Sequence, residues 1–138
     1  MTSSSHLAGA AVFYLVYCAL TEDPVSVEGL AAAAAGSLLP DIDTPTSSVG
    51  RPFFPLARWI NEKLGHRTAT HGLLGALLFG LAVAGLEALA RASGPLAPDG
   101  SPLAVCLTLG YLSHVLIDTL NKTGVELFWP RACAASSF

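Results

Sequence analysis

Apolar residues fall into four long runs separated by short polar or proline-rich breaks. Ser3, Ser4 or Ser5 can cap a helix that begins near His6 and runs to Leu20, and Thr21-Glu22-Asp23-Pro24 ends it. A second helix starts near Ser26 and continues through Glu28 and the alanines at 31–35 to Leu38-Leu39. Pro40 closes it, because the residue before a proline disfavours the α region. Both fall short of the ~20 residues that cross a hydrocarbon core, so they read as a thin hairpin or as the centre of a buried bundle. The chain is then proline-rich from Asp43 to Gly65, with a short amphipathic helix around Leu56 to Leu64 that carries Trp59. An aromatic beside Arg51, Arg58 and Lys63 suits the headgroup layer. Helix three, from about Thr70 to Arg91, is long enough to span, and its Gly72, Gly75, Gly80 and Gly85 would let neighbouring helices approach closely in lipid. A loop from Ser93 to Pro102 leads to helix four, Leu103 to about Leu120, which is apolar except for Thr108, Ser113, His114, Asp118 and Thr119. Residues 121–130 read as a turn and an interfacial aromatic segment.

Composition supports a membrane class. Hydrophobic residues are 52% of the 138, charged residues only 12%, and mean hydropathy is +0.57. The prediction is a single all-α domain over 1–138, a polytopic membrane helical bundle of four main helices plus the short interfacial one. A soluble helical bundle is the alternative fold. A net charge of −3 without a basic stripe excludes nucleic acid as the main partner. Cys18, Cys106 and Cys133 are scattered and odd in number, so they read as packing residues of a reduced protein. Met1 to Ser5 lacks the positive charge of a secretory signal, so the first helix is expected to be retained.

Connectivity alone gathers the polar residues. If helices one and two form one hairpin and three and four another, four helix ends share a side. They carry His6, then Asp41 and Asp43, then His66 and His71, then His114 and Asp118. Arg51, Arg58, Lys63, Arg67, Lys122 and Arg131 lie on that side and only Arg91 on the other, so the positive-inside rule makes it cytoplasmic.

His114 and Asp118, at i and i+4, share a helix face, as two ligands of one ion or as a histidine oriented by a carboxylate. An ionisable pair inside an apolar helix is costly and marks a functional site, although a mutually satisfied pair joining helices is the alternative. Taken singly, Asp41 and Asp43 could be a helix-exit turn, His6 incidental, and Thr68 or Thr70 an N-cap. Taken together, seven candidate ligands (His6, Asp41, Asp43, His66, His71, His114 and Asp118) suffice for one or two divalent ions, zinc first, manganese or iron otherwise. Such a centre activates water and clamps an oxyanion, which points to hydrolysis of a phosphoester. Asp43 and Arg67 are the expected participants in the reaction; Arg67 would hold a phosphoryl oxygen, or else anchor the chain at the headgroups. Thr68, Thr70, Ser113 and Thr119 read as caps or as partners behind the ligands. No G-x-S-x-G elbow and no glycine-rich phosphate loop is present.

Leu38-Leu39-Pro40-Asp41-Ile42-Asp43, Gly65-His66-Arg67 with His71, Gly110-Tyr111-Leu112-Ser113-His114 with Asp118, and Gly124-Val125 before Phe128-Trp129-Pro130 follow in an order that resembles the YdjM-like family. The resemblance covers His6 to Pro130. It implies a multi-pass protein of the bacterial inner membrane, regarded as a metal-dependent hydrolase and under LexA control in some members. By that resemblance the metal site would use Asp41, Asp43, His66, His71, His114 and Asp118, with His6 as a further ligand. A more distant similarity to zinc-dependent phospholipase C and P1-type nucleases implies phosphoester or phospholipid substrates, with membrane lipid as partner. Ser5 stands where members often carry glycine, and Gly72 where serine is common; members often continue past Trp129-Pro130 into further helical sequence. A metal transporter or sensor using the same ligands is the non-enzymatic alternative, and a structural protein whose His and Asp residues only pair with one another is another.

Overall fold

The computed structural model describes residues 3–64, 70–93 and 102–120. All regular structure there is helical: α1 (Ser3–Thr21), α2 (Val27–Leu38), a 3-10 turn (Leu39–Asp43), α3 (Phe54–Leu64), α4 (Leu73–Ala92) and α5 (Leu103–Thr119). α1 has 19 residues and so rises about 28 Å at 1.5 Å per residue, enough for a hydrocarbon core of about 30 Å. The sequence reading made it too short to span; the difference is that the helix starts at Ser3 and runs through Leu20 into Thr21. α2, with 12 residues, is far below that length.

α2 starts where its first turn is best satisfied: the Ser26 side chain caps it by accepting from the Gly29 N–H at 3.0 Å. Tyr14 reaches across from α1, its hydroxyl 3.0 Å from the Ser26 N–H, which ties the first two helices into a hairpin. Glu22, at φ 60°, takes the left-handed conformation that often ends a helix. α5 is the central helix, packed on α1, α2 and α4. The tightest seam is between α2 and α5. A Cβ at Gly36 would fall onto the Leu107 carbonyl, and one at Gly110 onto the Ala33 carbonyl, so the two backbones touch at both glycines. In α4, by contrast, Gly80 faces Thr108 of α5, but Gly85 faces open space, so the close approach expected of the α4 glycines is realised chiefly elsewhere.

α4 departs from expectation at its start too. Thr70 is not its cap; Gly72 holds that position without a side-chain bond, and the helix begins at Leu73. Of its 20 residues only Ala76 is buried, and Leu77, Leu78, Leu81, Leu86 and Leu89 all point outward. A helix apolar all round yet unburied belongs in hydrocarbon. α1 likewise exposes Val12, Leu15, Val16 and Leu20. Among the described helices α3 is the strongly amphipathic one. It leaves Phe54, Leu56 and Trp59 exposed and packs against the 3-10 turn.

Candidate metal centre

The deepest polar cluster sits where the polar ends of α1, α2, α4 and α5 meet. His6, Asp43, His71, His114 and Asp118 are all buried there. Asp41 is the exception, with a side chain 28% exposed, so among the described residues it forms the open edge. Cys18 and Cys106 are free and buried elsewhere in the core, as expected of packing residues, and Cys133 lies outside the described residues.

Each histidine is aimed by a local feature of the chain. His114 Nδ1 lies 2.6 Å from the Ser37 carbonyl, and because a carbonyl only accepts, Nδ1 carries the hydrogen and Nε2 presents its lone pair. That carbonyl is free because α2 ends at Leu38. In the 3-10 turn that follows, residue 40 would supply the N–H for it, and Pro40 has none. On the other side, the Thr70 hydroxyl donates to Asp43 Oδ2 at 2.7 Å, so at 3.0 Å from His71 Nδ1 its oxygen can only accept. His71 therefore also holds its Nδ1 hydrogen outward, and its Nε2 faces the cluster. The Asp43 carboxylate, 3.5 Å from that Nδ1, also accepts from the Thr44 hydroxyl at 3.0 Å. The Asn61 amide donates to the Asp43 carbonyl at 3.0 Å and couples α3 to the turn. Tyr111 donates its hydroxyl to the Thr70 carbonyl.

Four donor atoms converge inside this frame. His71 Nε2 and His114 Nε2 are 3.2 Å apart, and Asp41 Oδ1 and Asp118 Oδ2 each lie 3.7 Å from both. For His71, His114 and Asp41, with edges of 3.2, 3.7 and 3.7 Å, the equidistant point is about 2.1 Å from each atom, a zinc–ligand bond length. Asp118 Oδ2 builds a second triangle of the same dimensions on the shared histidine edge. His6 stacks on His114 with ring centroids 3.8 Å apart. Its Nε2 approaches Asp118 Oδ1 at 3.6 Å, and its buried Nδ1 has no hydrogen-bond partner among the described residues. Among the described residues, the ligand atoms of His6, His114 and Asp118, and those of Asp41, His71 and His114, also lie within 4.8 Å of one another.

Two facing imidazole lone pairs flanked by carboxylate oxygens repel one another unless a cation lies between, so the donor set fits a divalent ion. A proton is the lesser substitute. Burial alone would lower the His71 pKa, but Asp41 and Asp43 outweigh it and push it up to about 9. The Asp41 carboxyl, which burial alone would raise, is held below its usual value by His71 and the other imidazoles.

Of the seven ligand candidates, His6, Asp41, His71, His114 and Asp118 meet in this cluster. Asp43 sits on the Nδ1 side of His71, the place of an orienting carboxylate, and belongs to none of these trios. His66 and Arg67 lie outside the described residues. Residue types had not pointed to the Ser37 carbonyl, Thr44, Asn61 or Tyr111. Only Pro40, two residues past the last turn of α2, carried a signal for the first of them.

Residues 1–137 match a known family, YdjM inner membrane protein. The chain belongs to the YdjM family. It is 34% identical to the inner membrane protein YdjM of Escherichia coli over 144 aligned residues, 94% of this chain and 66% of that one. The Shigella flexneri protein of the same name is equally similar. It is also 30% identical to the uncharacterized protein YvsG of Bacillus subtilis, over 94% of this chain and 74% of that one. No solved structure matches the chain. YdjM membership agrees with the two helices, α1 and α4, that are long and apolar enough to cross a membrane, and it supports an inner-membrane location.

Proposed function

We propose that this YdjM-family chain is a multi-pass inner-membrane metal-dependent hydrolase of phosphoesters, with its metal centre at the cytoplasmic face. The observation that carries the reading is the convergence of His71 Nε2, His114 Nε2 and Asp41 Oδ1 about 2.1 Å from one point. His71 Nε2 and His114 Nε2, 3.2 Å apart, would hold one ion between them, with Asp41 Oδ1 or Asp118 Oδ2, each 3.7 Å from both, as a further ligand. A second ion would rest on His6 and Asp118 Oδ1, which are 3.6 Å apart. The mixed imidazole and carboxylate set suits zinc first, then manganese or iron. Bound there, the ion supplies Lewis acidity and an activated water.

The residues of the chain do the rest. Asp43 and Thr70 fix the His71 ring, the Ser37 carbonyl fixes the His114 ring, and burial of all but Asp41 limits water at the centre. The half-open Asp41 edge is where a phosphoryl group can approach. Arg67 is the residue proposed to hold a phosphoryl oxygen there. Arg51, Arg58 and Lys63 lie in and before α3, beside the turn that carries Asp41, and Arg91 ends α4 at the opposite pole, which supports the cytoplasmic orientation.

The test is metal analysis of protein purified without a metal-binding tag, together with hydrolysis of bis(4-nitrophenyl) phosphate. Stoichiometric metal and a chelator-sensitive rate are expected. Full metal content with no hydrolysis of soluble or lipid phosphoesters would favour the transporter or sensor reading.

A further inference from the structure

Between α4 and α5 runs a cavity of about 420 Å³ whose walls include Leu73, Ala76, Gly80, Ala84, Thr108 and Leu112. Its one hydroxyl, on Thr108, is already used by the Ala104 carbonyl at 2.7 Å, so the groove offers an occupant only hydrocarbon. Its width comes from small residues: Gly80 lies opposite Thr108, where a Cβ would sit 3.1 Å from the Thr108 methyl. Along α4 the groove extends from Leu73 to Ala84, about 16 Å at 1.5 Å per residue. One end reaches the level of the metal centre along both helices, since Leu73 is two residues beyond His71 and Leu112 two before His114, about 3 Å along the axis of α5. It opens on the face of α4 where Leu77 and Leu81 point outward.

We infer that this groove holds an acyl chain of the lipid whose phosphoester is presented to the metal centre, so that the substrate class is membrane glycerophospholipid. The inference rests on the hydrolase reading for the word substrate; the groove's occupancy by an acyl chain stands apart from it. Continuity decides between this occupant and bulk lipid. An apolar slot of this length that ends at the level of the ligands holds a chain in one register, with its ester linkage at the depth of His71 and His114.

The experiment uses the full chain in nanodiscs doped with a glycerophospholipid that carries a diazirine midway along one acyl chain. Photolysis is expected to label peptides within 77–84 of α4 and 104–112 of α5. G80F, which fills the slot, should reduce that labelling at least fivefold at unchanged metal content, and G85F, which projects into open space, should not. Should G80F fail to fold, A84L shortens the slot at its far end and should shift the labelled positions toward Leu73. Equal labelling of the outer face of α1, or labelling indifferent to G80F and A84L, overturns the inference. So does a dimer whose interface protects α4 and α5 from the probe. Hydrolysis of bis(4-nitrophenyl) phosphate measured on the same protein separates the two readings: activity without groove labelling sinks only the inference, and groove labelling without activity sinks only the hydrolase.

Discussion

Gly110 is the position where a single methyl group tests how the helix seam sets the metal centre. A Cβ there would overlap the Ala33 carbonyl and crowd the Ser37 N–H, both backbone atoms with no rotamer to turn aside. Relief requires α2 and α5 to part by roughly 1 to 1.5 Å, to ordinary van der Waals distance, and overpacking of this kind costs ~1–3 kcal/mol of stability. The same movement stretches the 2.6 Å contact between His114 Nδ1 and the Ser37 carbonyl to roughly 3.6–4 Å, beyond hydrogen-bond range. His114 then loses the partner that fixes its tautomer, and losing such an orienting bond weakens metal affinity ~10–100-fold. G110A should therefore melt several degrees lower and bind zinc 10–100-fold more weakly, by competition with a chromophoric chelator in detergent. G85A is the control. It meets nothing within 4 Å, and exchanging a helical glycine for alanine should leave stability unchanged or raise it by up to ~1 kcal/mol. If G110A held zinc as tightly as the parent chain, the coupling of the helix seam to His114 would be wrong.

Other perturbations separate the parts of the centre. T70V removes the hydroxyl between His71 Nδ1 and Asp43 Oδ2; zinc affinity should fall ~10–100-fold with the helical circular dichroism unchanged, and an unaltered affinity would show that this relay does not orient His71. Because the His71 pKa is raised to about 9, a proton competes with metal. Affinity should therefore strengthen as pH rises from 7 to 9 and level off above, and a flat profile would contradict this. The metal-free protein should show the opposite trend in stability. A raised folded-state pKa means that the His71 contribution is complete below about pH 6.5 and lost as pH rises through about 9. Thermal melts of chelated protein at pH 6 and pH 9.5 read it directly. Chelation at neutral pH should lower the melting temperature by the mass-action term.

The helices were legible because their apolar runs and breakers are local: Pro24, Pro40, Ser93 and Pro102 each lie within a few residues of an element end. The gathering of His6, Asp41, His71, His114 and Asp118 was legible from connectivity, since hairpins of helices force alternate ends together. The division of labour between Asp41 and Asp43 was not. Two residues apart in a 3-10 turn, they point to opposite sides of His71, and only the path of the Leu39–Asp43 turn decides which one meets Nε2. Nor could side-chain types reveal the Ser37 carbonyl, because a backbone acceptor is made available by a helix ending, not by a residue type. The glycine-rich pattern of α4 points to close packing along that helix, yet Gly85 faces open space. The seam that needs glycines, at Gly36 and Gly110, has one glycine on each helix.

X-ray absorption at the metal edge of tag-free protein tests the central claim most directly. The account predicts a stoichiometric divalent ion bound by nitrogen and oxygen ligands at ~2.0–2.1 Å, with the outer-shell signature of at least two imidazoles, and loss of that signature in H71A and H114A. Metal-free protein after growth in zinc-, manganese- or iron-supplemented medium, or an absorption spectrum unchanged by both substitutions, would contradict it.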